Sequence, residues 1–494
     1  MRRSRALLAL LLAAPALAVP VVPLLGPAPA PLASVAPEPA AAAFDHLACP
    51  WPLPALEPLR PLEHCNVRAT AQTGPANEID LAMDPTDPLH LVAVAKGYNY
   101  TRQMVNSGLG AVNTPYATTF DGGLTWAEGY LQPMSTVLVS LPVLGEFGRT
   151  ATTESDPIVE FTRSGKVLAN TLRVEPGDYA GLPNYRSEDG GVTFTEISMA
   201  YEGGTDKQWF VSDPKTGNLY LITAYNGLGF TRSTDEGLTW SPMKSICGCS
   251  TGGIDVGPDG VLHVIGVAGD GIVHRRSLDG GATWSPQKRI ATHHGAETNP
   301  FNLRVFRTIN IPQIAASRAD GGVYVVWADH PDGVLEQACD AVAGSGIAGC
   351  PFLPDTNIYI TRSADAGLMW SAPIRVDDDV LSDATMQFMP QVAVSPNGRD
   401  VHVAWMDQRQ DPSGATMTAW YAHSGDFGAT WGANLEVSEL PSAVVTSHHQ
   451  AMVPLHTGIF VGDYIGLQAS DDRAVVAFPD TRYGRADVFV ATVV

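Results

Sequence analysis

The sequence predicts an all-β protein: a β-propeller of seven four-stranded blades, with six as the alternative count. Three observations carry this prediction. An octapeptide built on Ser, Asp, Gly and Trp recurs six times. A looser unit, two apolar stretches joined by a turn, recurs seven times. The composition, with 48 Gly and 38 Pro against only 30 Lys+Arg, favours many turns, and no sustained helical periodicity runs through it.

The octapeptides are "TFDGGLTW" from Thr119, "SEDGGVTF" from Ser187, "STDEGLTW" from Ser233, "SLDGGATW" from Ser277, "SADAGLMW" from Ser363 and "SGDFGATW" from Ser424. At ordinary residue usage a five-position match arises about once in ~10^5 windows, so six copies are a repeat. Their aspartates, Asp121, Asp189, Asp235, Asp279, Asp365 and Asp426, lie roughly 60 residues apart, room for four strands and their loops. In such a box the carboxylate accepts turn N–H groups, the glycine supplies a positive φ, and the Trp packs between neighbouring sheets. These aspartates are therefore expected to build turns.

Between the boxes lie hairpins such as "GGIDVGPDGVLHVIGVAG" and "PQVAVSPNGRDVHVAWMDQR", rich in Val, Ile and Ala around turns of Asp, Asn, Gly or Pro. One unit thus reads A-turn-B, then C-box-D, the four strands of a propeller blade. After the seventh hairpin only "DVFVATVV" remains, enough for strand C. The missing outer strand is assigned to "CNVRATAQTG", residues 65–74, which would close the ring between the two ends of the chain and remove open edges.

A net charge of -21 argues against nucleic acid or an anionic membrane surface as partner. Residues 1–18, "MRRSRALLALLLAAPALA", read as a cleaved export signal, with an uncleaved anchor as the alternative. Residues 19–64 form a Pro/Ala-rich tether and N-terminal segment, and 65–494 the propeller. The protein is expected to be secreted or periplasmic and monomeric, with no membrane insertion after signal cleavage. Six cysteines in an exported chain suggest disulfides: Cys49 with Cys65, Cys339 with Cys350, and Cys247 with Cys249, the last expected to be strained if bridged. No C-x-x-C pair supports zinc.

The S-x-D-x-G-x-T-W pattern resembles the Asp-box (BNR) repeat of the sialidase superfamily, whose members are β-propellers, over nearly all of residues 66–494. The resemblance implies a sialidase-like glycoside hydrolase acting on extracellular glycans. Because such boxes also occur in other glycosidases and in non-enzymatic receptors, the alternative is a propeller that binds a glycan or protein without catalysis.

Strand geometry puts all six boxes, with the A-B turns, on one face of the ring, here face two. The starts of the A strands and the ends of the B strands meet on face one, where a ligand pocket is expected. A-strand starts carry Glu78, Asp156, Asp206, Gln313, Gln391, Asp463 and Tyr464. B-strand ends carry Tyr98, Asn99, Arg173, Tyr225, Asn226, Asp329, His330, Asp407, Arg409, Asp480 and Arg482. The resemblance implies an arginine clamp, to which Arg173, Arg409 and Arg482 are the candidates, and a Tyr nucleophile, for which Tyr464 is the candidate. The family's R-I-P motif does not precede the first box; the nearest string, "FRTINIP" around Arg307, follows the fourth. Asp156 and Asp463 could instead act as an acid/base pair. Glu78, Asp206, Tyr225, Asp329, Asp407 and Asp480 are the further substrate-binding candidates. No cofactor is required, although the same acids suit Ca2+ in the channel, and His293, His294, His448, His449 and His456 could bind a transition metal.

Overall fold

The computed structural model describes residues 66–70, 74–99, 111–131, 153–175, 178–250, 252–293, 306–307, 311–330, 356–381, 385–444 and 459–494. Every named element among them is a strand. From the inside outward, blade 1 is Ala76–Asp84, Asp87–Asn99, Pro115–Thr119 and Ala127–Tyr130; blade 2 is Thr153–Phe161, Val167–Glu175, Asp178–Ser187 and Thr195–Glu202. Blade 3 is Trp209–Ser212, Leu219–Ala224, Leu228–Ser233 and Lys244–Cys247; blade 4 is Ile254–Val256, Leu262–Ala268, Gly271–Ser277 and Lys288–Thr292. Blade 5 is Gln313–Ala316, Val323–Asp329, Asn357–Ser363 and Ile374–Arg375; blade 6 is Gln387–Val394, Val401–Asp407, Thr416–Ser424 and Leu435–Glu436. Blade 7 is Gly466–Ala469, Ala474–Asp480 and Asp487–Val493, completed outside by Val67–Arg68 from the other end of the chain. Inner strands of successive blades touch all the way round, so the seven-bladed ring expected from the repeats is what forms.

Each sheet is apolar on both faces because each is sandwiched between two others. The core accordingly divides into seven clusters among the described residues, one in each seam. The cluster between blades 6 and 7 gathers Phe388, Met406, Tyr421, Phe478 and Phe489, whereas that between blades 2 and 3 holds only Leu172, Val174, Leu182, Ala200 and Leu221 as fully buried members.

The boxes build the turns between strands C and D as expected. In the fourth, Ser277 Oγ donates to Asp279 Oδ1 at 2.7 Å and accepts from Gly281 N at 2.8 Å, while Thr283 donates its amide to Oδ1 and its hydroxyl to Oδ2. Gly281 is obligatory: its φ is +83° and a Cβ would sit 2.1 Å from the Phe230 ring of blade 3. Several boxes also lock to the preceding blade. An arginine one residue before the box Ser reaches the carbonyl after the next box Asp: Arg232 to Gly280 at 2.9 Å, Arg276 to Ala366 at 3.0 Å and Arg362 to Phe427 at 2.6 Å.

The ring closure copies an internal blade. In blade 6, Asn434 accepts from Asp378 N and donates to Val376 O of blade 5. At the closure Asn66 does the same to blade 6, accepting from Glu439 N at 2.7 Å and donating to Val437 O at 2.8 Å. The N-terminal strand therefore occupies a true D position.

The expected export signal, residues 1–18, and the tether, residues 19–64, lie outside the described residues. So do Cys49, Cys65, Cys339 and Cys350. Cys247 and Cys249 are bridged to each other. No helix among the described residues is long and apolar enough to cross a membrane.

Candidate functional site

At face one, three inner strands carry a charged residue in left-handed backbone within or just before their first residues: Glu78 at φ 50°, Asp156 at 47° and Lys207, two residues ahead of its strand, at 50°. Blades 1 and 2 show a register shift at the same point, between Asn77 and Ile79 and between Ser155 and Ile158. A bulge there rotates the side chain out of the strand's alternation, and left-handed backbone at a non-glycine residue costs about 1–3 kcal/mol. That cost recurs at the three positions whose charges meet.

They meet on the ammonium of Lys207. Its Nζ lies 3.0 Å from Glu78 Oε1, 2.8 Å from Asp156 Oδ2 and 2.5 Å from Asp463 Oδ2, so one blade 3 cation holds blades 1, 2 and 7. Lys96 approaches from the second strand of blade 1, 3.1 Å from Glu78 Oε2 and 3.6 Å from Asp156 Oδ1. Gly462, at φ +110°, lets the blade 7 chain pass so close that a Cβ would lie 2.9 Å from Glu78 N. This close approach brings Asp463 and Tyr464 into the cluster. Tyr98 is buried beside Lys96, and burial pushes its phenol up to about 12.

The two central carboxyls are driven apart. Burial, reinforced by Asp156, raises Glu78 to about 8. Lys207 and then Lys96 outweigh burial at Asp156 and hold its carboxyl far below the usual range. Glu78 therefore carries its proton at neutral pH and Asp156 does not. Glu78 is completely enclosed, whereas Lys96, Lys207 and Asp156 keep side-chain exposures of 16%, 13% and 7%. Solvent therefore reaches parts of the two lysine side chains and an edge of Asp156, but not Glu78.

Of the sequence candidates, the structure joins Glu78, Asp156, Asp463 and Tyr464 in this cluster, with Asp206 exposed beside Lys207 and its carbonyl accepting from the Ala224 amide. Tyr464 differs from the expected nucleophile. Its hydroxyl donates to Pro157 O at 3.1 Å, its ring meets Trp209 edge-on at 5.1 Å, and burial with Glu78 and Asp156 holds its pKa well above the ordinary value. Such a phenol keeps its proton. Tyr225 lies away at the seam of blades 2 and 3, edge-on to Tyr201 at 5.4 Å. Asp329 accepts from the Trp327 indole and the His330 amide in blade 5.

The three candidate clamp arginines do not converge. Arg409 and Arg482 are seam staples: Arg409 binds Asp407 at 2.8 Å and Asp378 at 2.7 Å and stacks 4.0 Å over Trp420. Arg482 repeats the pattern with Asp480 at 2.7 Å, Glu439 at 3.0 Å and the Phe489 ring at 4.3 Å. Arg173 is buried in blade 2 between Glu154 at 2.7 Å and Glu196 at 2.7 Å. Tyr185 donates to Glu154 at 3.1 Å in the same network, a Tyr–Glu–Arg grouping, but it is sealed inside the seam of blades 1 and 2. Arg307 belongs to a short parallel pairing of Phe306–Arg307 with Ile459–Phe460.

Sequence reasoning missed Lys96 and Lys207, and it missed a second set of acids along the inner strands. Asp80 accepts the Val159 amide of blade 2 at 2.8 Å, Glu160 the Ser212 amide of blade 3, and Asp255 the Ala316 amide of blade 5 at 2.6 Å. Inner strands have no partner on the axial side, and these carboxyls satisfy their free N–H groups. The signal was an acid in the middle of an apolar strand, as in "NEIDLAM" and "GGIDVG". Burial is the main cause that raises Asp80 to about 7 and Glu160 to about 8. No group of three His, Cys, Asp or Glu side chains among the described residues is arranged to hold a metal ion. His293 is buried, and His294, His448, His449 and His456 lie outside the described residues.

No model of a known protein family matches this sequence, and no curated protein matches it. Solved structures do resemble the fold. The α-L-arabinofuranosidase Arb93A of Fusarium graminearum is 13% identical, with 86% of this chain and 96% of that chain covered and a TM-score of 0.42. The leech intramolecular trans-sialidase is 12% identical over 75% of this chain and 69% of that one, TM-score 0.42. YCF48 bound to a D1 peptide is 12% identical over 90% and 97%, TM-score 0.45. Likeness at this level carries no argument about activity.

Proposed function

We propose that this chain is an exported propeller that binds an extracellular glycan at the face-one end of its axis, as a recognition module and not as a sialidase. The observation that carries the reading is Lys207, whose ammonium binds carboxyl groups from three other blades. The axial acids are thereby committed to holding the ring, and the three candidate clamp arginines are paired within the blades and seams instead of at the axis. The groups left at the surface, Lys96, Lys207, Asp206 and partly buried Trp209, suit a hydroxyl-rich ligand: charged heads for hydroxyls and a ring for a sugar face. The glycan class rests on the box repeat's resemblance, and export on the basic, apolar, small-residue N-terminus.

A second reading has one observation in its favour. A proton-carrying Glu78 beside an ionised Asp156 is the division of labour that acid/base glycoside hydrolysis requires. Substrate would have to displace Lys96 and Lys207 to reach Glu78. Glycan-array binding, followed by a fluorogenic glycoside panel, separates the two. The recognition reading expects saturable binding weakened by Lys96→Met, with no turnover. Turnover that disappears in folded Glu78→Gln and Asp156→Asn would overturn it in favour of the hydrolase.

A further inference from the structure

A cleft of about 530 Å³ opens between blades 4 and 5, away from the axial cluster. Blade 4 ends in a five-residue outer strand, Lys288–Thr292, but the outer strand of blade 5 is only the two residues Ile374–Arg375. Ser371, Ala372 and Pro373 precede it as non-strand chain along the cleft, and among the described residues no outer-strand ladder covers the wall of blade 5 there. That wall is aromatic. Trp327 forms the buried floor, with Tyr359 stacked on it at 6.1 Å and 29°. Trp370 stands beside them, its indole N–H fixed on Gly367 O at 3.2 Å.

The polar groups of the cleft are also held in place. Asp329 is oriented by the Trp327 indole at 3.3 Å and the His330 amide at 2.9 Å. Across the cleft the Arg289 guanidinium is anchored to Asp270, by its carboxylate and its carbonyl, both at 2.8 Å, and to Thr292 Oγ1 at 3.3 Å. One lining cation thus faces one lining anion.

We propose that this cleft is a second carbohydrate site, which takes a neutral sugar ring against Tyr359 and Trp370 with its hydroxyls on Asp329 and Arg289. The volume falls within the range of small-ligand pockets, roughly 300–1,000 Å³. Flat, partly exposed rings suit the C–H face of a pyranose, and a carboxylate opposite a guanidinium suits vicinal hydroxyls without favouring a charged ligand. An extended peptide is a poorer fit, since a two-residue edge strand is too short to add a strand to. The inference rests on the glycan-binding reading above and gives it a place outside the axis.

The test titrates the full chain with neutral hexaoses of β-1,4-glucan, β-1,4-xylan, β-1,4-mannan and α-1,4-glucan, read by intrinsic tryptophan fluorescence. At least one is expected to give a saturable change, weakened about tenfold or more by Tyr359→Ala and by Asp329→Asn, and altered by less than about twofold by Lys96→Met. Asp329→Asn keeps only one of the two internal acceptors, since the Trp327 indole and the His330 amide use different carboxylate oxygens, so circular dichroism and the urea midpoint of each variant serve as the folding control. Binding that survives both cleft variants but is lost in Lys96→Met would overturn the second site while leaving the glycan reading intact. Failure of every hexaose to bind, or binding of an unstructured peptide competed by none of them, would also overturn it.

Discussion

The two faces of the propeller treat the same side chain in opposite ways. On face two, each box aspartate is answered within its own octapeptide by neutral hydroxyls and amides, and Thr283 with Ser277 draws Asp279 down to about 2. On face one, Glu78 and Asp156 stand on strained backbone and are answered by ammonium groups, including one from another blade. An aspartate satisfied locally shapes one turn and can be repeated six times. A carboxylate satisfied across the axis couples blades and occurs once. The comparison teaches that repetition marks the scaffold, whereas the functional search belongs where the repeat is broken.

The sharpest way to break the contrast is Lys207→Met. It leaves the carboxylates of Asp156 and Asp463, and the Glu78 carboxyl beside them, without their shared cation, and removing one partner of a buried ion pair costs about 3–5 kcal/mol. Urea unfolding should show that loss, together with a smaller one for Asp279→Ala, whose partners are left facing water. Equal losses would mean that the axial cluster does not couple the blades.

A pH series probes the same contrast with smaller expected effects. Glu78 has a folded pKa of about 8, raised from an ordinary value of 4.5. Its contribution to stability is fully present below 4.5 and is lost as pH rises through about 8. Glu78→Gln should therefore flatten the fall in the urea midpoint across that window. Box aspartates act in the other direction: Asp189, drawn from 3.8 to about 2, stabilises above 3.8 and ceases to as pH falls through about 2. His263, hydrogen-bonded to His274 at 3.1 Å and pushed by burial from 6.5 to about 3, likewise contributes above 6.5 and loses this as pH falls. A midpoint that falls between pH 4.5 and 8 as steeply in Glu78→Gln as in the wild type would contradict this assignment.

What was legible in the sequence was what is local. Ser277, Asp279, Gly281 and Thr283 solve their hydrogen bonds within seven residues, so the repeat, the blade count and the N-terminal closing strand could be read directly. Glu78, Asp156 and Asp463 could be placed at strand starts, but Lys207 joins Glu78 and Asp156 across separations of 129 and 51 residues, which no motif records. The arginines misled for a related reason. "MDQR" and "PDTR" do set Asp and Arg alike in the last two blades, yet the repeated partners, Asp378 with Asn434 and Glu439 with Asn66, belong to the seams. The recurrence itself pointed to scaffold.

The smallest effect sharpens the scaffold side of the comparison. Five boxes close with a Thr hydroxyl on the second carboxylate oxygen of their Asp, at 2.6 or 2.7 Å. The fifth box of the chain has Met369 there, 68% exposed; its amide still reaches Asp365 Oδ1 at 2.7 Å, but the side chain has no hydroxyl to give. Met369→Thr should restore the missing bond without disturbing the turn and remove an exposed apolar side chain. A net gain of at most about 0.5 kcal/mol is expected, the low end for a hydrogen bond because the site faces water. The same substitution leaves the blade 5 groove wall at Trp370 in place, so hexaose binding should be unchanged. A loss of stability would show that Met369 packs against something the isolated box geometry does not reveal, and that one box is not interchangeable with the rest.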